Sequence, residues 1–158
     1  MNCISEPALA ALLIGKTARA AELNVKFTLR DGSHFSNTDM HIPTEVLITV
    51  IGNLIENAFE TMNAKEPKPS NTNELIKGLF SKEDSILITV DDTGLGISEE
   101  NKQRIFENGF STKGENRGTG LYQVKTMVEN LGGLITVDSQ ENVGTSFFVY
   151  FSKEKKEN

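Results

Sequence analysis

The sequence predicts one α/β domain in which long helices alternate with strands and hairpins. Its 158 residues can bury a sizeable core, and 37% hydrophobic with 24% charged residues is typical of a globular protein. Helical apolar periodicity occurs in three segments, whereas apolar–polar alternation and short apolar runs indicate strands. The expected helices are Pro7 to Leu23, Pro43 to Met62 and Leu121 to Leu131, and the expected strands are Val25 to Asp31, Leu75 to Phe80, Ile86 to Asp91, Leu134 to Asp138 and Thr145 to Phe151.

Helix ends and turns follow from cap and glycine signals. Ser5 is expected to cap the first helix before Pro7, Ser98 to cap a short extra helix, and Gly132-Gly133 to stop the last one. The expected connections are a turn from Asp31 to His34, irregular chain from Ser36 to Ile42, an exposed loop from Ala64 to Asn73, a hairpin turn from Ser81 to Asp84, a mobile glycine-rich segment from Phe106 to Thr119, a bend at Val143-Gly144-Thr145 and a solvated tail from Lys153 to Asn158.

Composition excludes several classes of function. A net charge of −6 and a pI near 5.0 argue against nucleic-acid binding, so a phosphate site would need local donors. Cys3 is the sole cysteine, which excludes an internal disulfide and fits a reducing cytoplasm. No apolar run approaches the roughly 20 residues of a membrane span, and no signal peptide is visible. Because the chain opens almost directly on a helix, we expect it to be a piece of a longer protein.

Two asparagines stand out on the second long helix. Its apolar residues come in doublets four apart, which form a broad core-facing stripe, and Asn53 and Asn57 lie together at the edge of that stripe. A partly buried amide costs about 1–3 kcal/mol unless it is satisfied. The pair therefore suggests a shared polar ligand such as magnesium bound to a nucleotide. The alternative is ordinary surface polarity of a helix.

A second signal is Asp92, which follows an apolar strand and precedes Gly94 and Gly96. A carboxylate at a strand end can accept a hydrogen bond from the exocyclic amine of adenine, where guanine presents an acceptor. The two glycines allow the backbone to pass close to a flat base. The alternative is a plain or calcium-type turn. No Gly-Lys-Ser/Thr loop follows a strand, so this is not a Walker site.

A third signal lies where Gly118-Thr119-Gly120 runs directly into the helix that starts at Leu121. Free N–H groups and the positive end of the helix dipole make a cradle for phosphates. Lys113, in Ser111-Thr112-Lys113, and Arg117 add cations suited to a terminal phosphate. Such glycine turns are also common in ordinary loops.

The remaining reactive side chains are interpreted as structural. His34 and His41 lack the helical His-Glu/Asp setting of a phosphate acceptor, and Cys3 has no partner for chemistry. For Phe106 and Phe110, a role as hydrophobic anchors of the glycine-rich segment is as good an interpretation as any chemical role.

Together these segments resemble the N, G1, F, G2 and closing glycine boxes of the GHKL ATPase/kinase superfamily. The boxes are Asn53 to Asn57, Asp92 to Gly96, Phe106 to Lys113, Gly118 to Gly120 and Gly144-Thr145. More narrowly, GNLIENAFE with GFSTKGENRGTGLYQVKTMVENLGG resembles the catalytic domains of bacterial citrate and C4-dicarboxylate sensor histidine kinases. The resemblance runs from about Pro7 to Phe151. It implies a two-layer α/β (α+β) sandwich of the Bergerat type: a mixed, largely antiparallel sheet on three helices, with ATP under a flexible lid.

The resemblance also implies a role for each motif residue, with ATP and Mg²⁺ as the bound groups. Asn57 would ligate the metal, and Asn53, a catalytic residue together with Lys113, would contact the phosphates or the water shell of the metal. Asp92 would read the adenine amine. The other implied binding residues are Gly94 and Gly96 at the base, Thr145 at the adenine end through water, Lys113 at the γ-phosphate, and Gly118, Thr119, Gly120 and Leu121 around the phosphates.

Two departures from the family pattern affect the expected chemistry. Many relatives carry a basic and then an aromatic residue three and four positions after the metal asparagine, but here these are Glu60 and Thr61. ATPases of the superfamily place a glutamate base where this chain has Asn53. Because an amide cannot take a proton from water, we expect little simple ATP hydrolysis.

The resemblance therefore implies the catalytic domain of a two-component sensor histidine kinase, over residues 1–151, with a tail at 152–158. The sensor, membrane and dimerisation regions, including the acceptor histidine, are expected to lie outside this chain. The expected partners are that dimerisation domain and a response regulator, in a homodimeric protein of the bacterial inner membrane whose catalytic domain is cytoplasmic. The alternatives are an anti-sigma-type serine kinase and a non-catalytic module gated by ATP.

Overall fold

Four helices and seven strands form the part of the chain that the computed structural model describes, which comprises residues 3–4, 6–35, 42–63, 73–82, 85–107 and 120–152. In chain order these elements are β1 (Cys3–Ile4), α1 (Pro7–Glu22), β2 (Val25–Leu29), β3 (His34–Phe35), α2 (Thr44–Asn63), β4 (Asn73–Lys82), β5 (Ser85–Asp92), α3 (Glu99–Lys102), α4 (Gly120–Asn130), β6 (Leu134–Gln140) and β7 (Gly144–Ser152). Among these described helices, none has the length and apolar character needed to cross a membrane.

The strands form one mixed sheet. Its order is β1-β3-β4-β5-β7-β6, and β2 also pairs with β4. The two predicted hairpins are confirmed as the antiparallel pairs β4/β5 and β6/β7, and β5/β7 is antiparallel as well. Parallel pairing is confined to the other side, where β2 and β3 follow one another along the same edge of β4.

One face of the sheet packs against the long helices. The strand positions that face inward alternate with exposed ones: Phe147, Val149 and Phe151 of β7 are buried, whereas Phe148 and Tyr150 are exposed. Burying a large apolar side chain stabilises the fold by about 1.5–3 kcal/mol, so this alternation fixes which face meets the helices. The predicted apolar stripe of α2 is confirmed by seven buried residues, Leu47, Val50, Ile51, Leu54, Ile55, Ala58 and Phe59.

Several local predictions were wrong in detail. Glu6 caps α1 in place of Ser5, because its Oε1 accepts from Ala8 N at 2.8 Å and from Leu9 N at 3.2 Å. His34 lies in β3, since pairing with β4 takes it out of the preceding turn. The β6–β7 bend lies at residues 141–143, and Asn142 adopts the left-handed conformation there.

The predicted hairpin turn from Ser81 to Asp84 is wrong in its first half, because Ser81 and Lys82 belong to β4. The predictions for residues 36–41, 64–72, 83–84, 108–119 and 153–158 fall outside the described residues. The Ser98 cap of α3 is confirmed, with Asn101 N donating to Ser98 Oγ at 3.1 Å. The end of α4 before Gly132 is confirmed too, because Gly132 has a φ of +79° that favours glycine.

Candidate functional site

The two asparagines of α2 meet the beginning of α4. Asn53 Nδ2 donates to Thr49 O at 2.9 Å, which turns its Oδ1 away from its own helix. A Cβ added to Gly120 would lie 3.3 Å from that Oδ1. Asn57 is half-buried one turn further along α2. An amide oxygen therefore faces a helix N-terminus, where unpaired N–H groups attract anions.

Asp92 is the last residue of β5 and is 7% exposed. A carboxylate so buried is costly unless it is hydrogen-bonded, and Gly94 N donates to its Oδ1 at 2.7 Å. Strand pairing fixes its backbone from both sides, with Leu75 of β4 and Thr145 of β7 as register partners. The buried Thr145 side chain is therefore the cross-strand neighbour of Asp92 on the helix-covered face.

The two predicted glycines fit closely against protein atoms. A Cβ added to Gly94 would lie 2.0 Å from Thr61 Oγ1 and 2.9 Å from Asp92 Oδ1. At Gly96 the φ is +74° and a Cβ would lie 2.2 Å from Gln140 O. The loop after β5 can therefore follow this path only with glycine at both positions.

The contact between Gly94 and Thr61 has a second consequence. Thr61 lies one turn after Asn57 on α2. The helix that carries the two asparagines therefore also contacts the glycine loop that follows Asp92. The sequence identified Thr61 only as the residue that replaces a family aromatic side chain, and its contact with the glycine loop was not predicted.

Ser139 contacts the candidate site residue Thr145, although no motif in the sequence indicated it. Its Oγ lies 2.8 Å from Thr145 Oγ1 and accepts from Ile97 N at 2.8 Å. A signal was present in the pattern of β6, because Ser139 follows Ile135 and Val137 at the inward positions and is the polar member of that series.

Charged groups tie α1 to α2 beside the asparagines. Lys16 Nζ lies 2.7 Å and Arg19 Nε 3.0 Å from Glu56 Oε2. Partial burial alone would raise the pKa of the Glu56 carboxyl, but the hydrogen bonds and charges of Lys16 and Arg19 outweigh it and lower that pKa. This pair of contacts holds the residue next to Asn57 against α1.

The predicted site residues divide into two groups. Lys113, Gly118 and Thr119 lie outside the described residues, as do Arg117, Phe110 and His41. Phe106 packs its ring edge against Phe147 with 6.3 Å between centroids, as a hydrophobic anchor would. The predicted site residues that lie within the described part of the chain are Asn53, Asn57, Asp92, Gly94, Gly96, Gly120, Leu121 and Thr145.

The described residues offer two kinds of chemistry. Around Asp92 they supply buried hydrogen-bond acceptors fixed at strand ends, which suit a ligand that presents an amine. Between α2 and α4 they supply amide oxygens and helix N–H groups, which suit a metal ion and an anion respectively. A purine nucleotide with its phosphates carries both kinds of partner.

Comparison with known proteins defines the class to which this domain belongs. The sequence profile of the family "Histidine kinase-, DNA gyrase B-, and HSP90-like ATPase" matches residues 44–155. The chain therefore belongs to this family, and the expected GHKL membership is confirmed.

Individual relatives narrow the class further. The sensor protein CitS of Bacillus subtilis is 39% identical over 146 residues, which are 92% of this chain and 26% of that protein. The "Probable C4-dicarboxylate sensor kinase" of Halalkalibacterium halodurans is 34% identical over 157 residues, 98% of this chain and 29% of that protein. The chain thus spans little more than a quarter of the length of these relatives.

A solved structure supports the same fold. The catalytic domain of histidine kinase ThkA, in a nucleotide-free form, superposes with a TM-score of 0.71 at 21% identity, covering 91% of this chain and 89% of that one. The expected two-layer fold is confirmed. The domain is a histidine kinase-type ATPase catalytic domain homologous to those of sensor histidine kinases, and the comparisons do not favour the serine-kinase or the non-catalytic alternative.

Proposed function

We propose that the domain binds ATP with Mg²⁺ and transfers the γ-phosphate to a histidine on a separate dimerisation domain. The observation that carries this proposal is the buried Asp92 carboxylate at the end of β5, on the face covered by the helix that carries Asn53 and Asn57. A carboxylate at this position accepts a hydrogen bond from the adenine amine and disfavours the carbonyl oxygen of guanine.

The proposed position of the ATP phosphates rests on the close approach of Asn53 Oδ1 to Gly120 at the start of α4. Gly120 and Leu121 present N–H groups at the start of α4, and Gly118, Thr119 and Lys113 extend the cradle in our proposal. The amide oxygen of Asn57 would hold Mg²⁺, whose charge would neutralise the phosphates.

The same residues disfavour simple hydrolysis. Asn53 keeps its amide NH₂ on Thr49 O and offers an oxygen, which is not basic enough to take a proton from water. Phosphoryl transfer to an imidazole needs positioning and charge stabilisation more than a strong base, and this site offers both.

The wider assignment rests on the relatives, which are sensor kinases several times longer than this chain. We infer that the domain works within a homodimeric two-component sensor that is bound to the bacterial inner membrane, with this domain in the cytoplasm. Its partners would be the dimerisation domain that carries the acceptor histidine and a response regulator.

The nucleotide assignment is tested by Asp92→Asn. Because Gly94 N holds Oδ1, the new amide oxygen will keep that bond and the NH₂ will face the ligand, where it opposes the adenine amine. We expect ATP affinity to fall by about 1–3 kcal/mol, which is roughly 5- to 150-fold, with less effect on GTP. Calorimetric titration with both nucleotides measures this.

The matched control is Asp91→Asn. Asp91 is the preceding residue of β5, but it faces the other side of the sheet and pairs with Arg30. We expect its nucleotide affinity to equal that of the wild type. Equal ATP affinity in Asp92→Asn and wild type would refute the direct contact.

The transfer step is tested with radiolabelled ATP, the chain alone and the chain mixed with the dimerisation domain of a sensor kinase relative. We expect acid-labile, alkali-stable label on the added domain and little on this chain, because neither His34 nor His41 has an acceptor setting. Strong label on this chain alone, or none on any supplied domain despite ATP binding, would contradict the kinase assignment.

A further inference from the structure

We call Asp92 and Thr145, which are proposed to face the adenine base, the base end of the site. The Ser139 hydroxyl contacts three polar groups next to it. Ile97 N donates to Ser139 Oγ at 2.8 Å, Gly144 O lies 2.9 Å from the same oxygen, and Thr145 Oγ1 lies 2.8 Å from it. A serine hydroxyl can donate one hydrogen bond and accept two. These three partners therefore fill its whole capacity.

Only one arrangement of protons satisfies all three contacts. Gly144 O can only accept, so the Ser139 proton points at it, and Ile97 N–H and the Thr145 O–H take the two lone pairs of Ser139. If Ser139 donated to Thr145 instead, the oxygens of Ser139 and Gly144 would face each other at 2.9 Å with no proton between them. The Thr145 proton is thus directed at Ser139, and Thr145 offers only lone pairs to other partners.

We propose that Ser139 is a positioning residue that keeps the Thr145 hydroxyl as a hydrogen-bond acceptor beside Asp92. The base end of the site then presents acceptors only, and it selects a base with an exocyclic amine. This inference rests on the proposed adenine site. Thr145 and Asp92 are register partners on one face, and both are buried. Few other groups can therefore reach the Thr145 hydroxyl and change the direction in which its proton points.

The test is Ser139→Ala, titrated calorimetrically with Mg·ATP and Mg·ITP, since inosine has a carbonyl oxygen where adenosine has the amine. Without Ser139 the Thr145 proton is released and can donate to that oxygen. We expect the ratio of ATP to ITP affinity to fall at least fivefold. A loosened loop would weaken both nucleotides equally, so an unchanged ratio would overturn the inference.

Two further variants isolate the Thr145 hydroxyl. Thr145→Val removes the hydroxyl and keeps the side-chain shape, so adding Ser139→Ala to it should leave the ratio within twofold. A further fivefold loss in the double variant would show that Ser139 acts by another route. Ser146→Ala is the matched control, because Ser146 is the next residue of β7 on the opposite face, and it should match the wild type.

Thermal melting establishes that each variant is folded. If Ser139→Ala does not fold, Ser139→Cys takes its place, because cysteine has nearly the same shape and is a much weaker hydrogen-bonding partner, and the same ratio decides. If the wild type binds no ATP, the proposed nucleotide site itself is refuted. If it prefers ATP and the ratio survives in the Ser139 variant, only the role of Ser139 is refuted.

Discussion

Lys77 is a buried cation in the middle of the sheet, and replacing it should stabilise the domain. It pairs in register with Val90 of β5 on the helix-covered face and is 7% exposed. Its Nζ lies 3.6 Å from the ring centroid of Phe27, which packs in turn on Phe59 at 5.8 Å between centroids. Within the described residues no carboxylate forms an ion pair with this ammonium.

The magnitude follows from the pKa and the ring contact. Burial lowers the pKa of Lys77 from 10.5 to about 8. At about 1.4 kcal/mol for each pH unit this corresponds to roughly 3 kcal/mol against the charged form, and the ring returns about 1–2 kcal/mol. We therefore expect Lys77→Met to gain about 1–2 kcal/mol in free energy of unfolding at pH 7.

The pH dependence has a definite sign. Below pH 8 both the folded and the unfolded chain carry the Lys77 proton, so the burial cost is present in full. Between pH 8 and 10.5 the folded state loses the proton first, and the stability of the wild type rises relative to the variant. The advantage of Lys77→Met should shrink by about 1–2 kcal/mol between pH 7 and pH 9.5.

Urea unfolding of both proteins at the two pH values measures these quantities. The matched control is Lys26→Met, since Lys26 lies on β2 and is exposed, and it should change stability by less than about 0.5 kcal/mol. A Lys77→Met variant less stable than the wild type at pH 7, or an advantage that does not shrink by pH 9.5, would refute the reasoning.

Two other substitutions separate metal binding from packing. Asn57→Ala should weaken ATP binding with Mg²⁺ more than ATP binding in EDTA, because the lost oxygen is a proposed metal ligand; equal losses in calorimetric titrations would contradict that assignment. Gly94→Ala should lower the free energy of unfolding by about 1–3 kcal/mol, because its Cβ would lie 2.0 Å from Thr61 Oγ1. Gly15→Ala is its control: nothing lies within 4 Å of that Cβ on α1, so urea unfolding should show a neutral or slightly stabilising change.

Much of the fold could be predicted because the periodicities are local. The doublets of α2 and the alternation in β7 identify both an element and its buried face. The parallel pairing of β2 and β3 with β4 could not be predicted, since it joins segments far apart in sequence. β3 has only two residues, which is too short to show any periodicity.

The same difference between local patterns and long-range contacts applies to the candidate site. Asp92 and the glycines after it were found because a short motif contains them. The neighbours that constrain them come from distant elements: Thr61 from α2 and Ser139 from β6. No local pattern joins these residues, so only tertiary structure reveals that Gly94 is held against a helix and Thr145 against a serine.

These constraints also determine how substitutions at the base end can be interpreted. Asp92 is fixed by strand pairing with Leu75 and Thr145, and the loop after it is held by Thr61 on one side and by Ser139 on the other. A side-chain change that preserves shape, as in Asp92→Asn, therefore has little freedom to move the backbone. Its effect on nucleotide affinity then reports the chemistry of the carboxylate, whereas a change at Gly94 reports packing. The two variants together distinguish a base-reading role from a structural one.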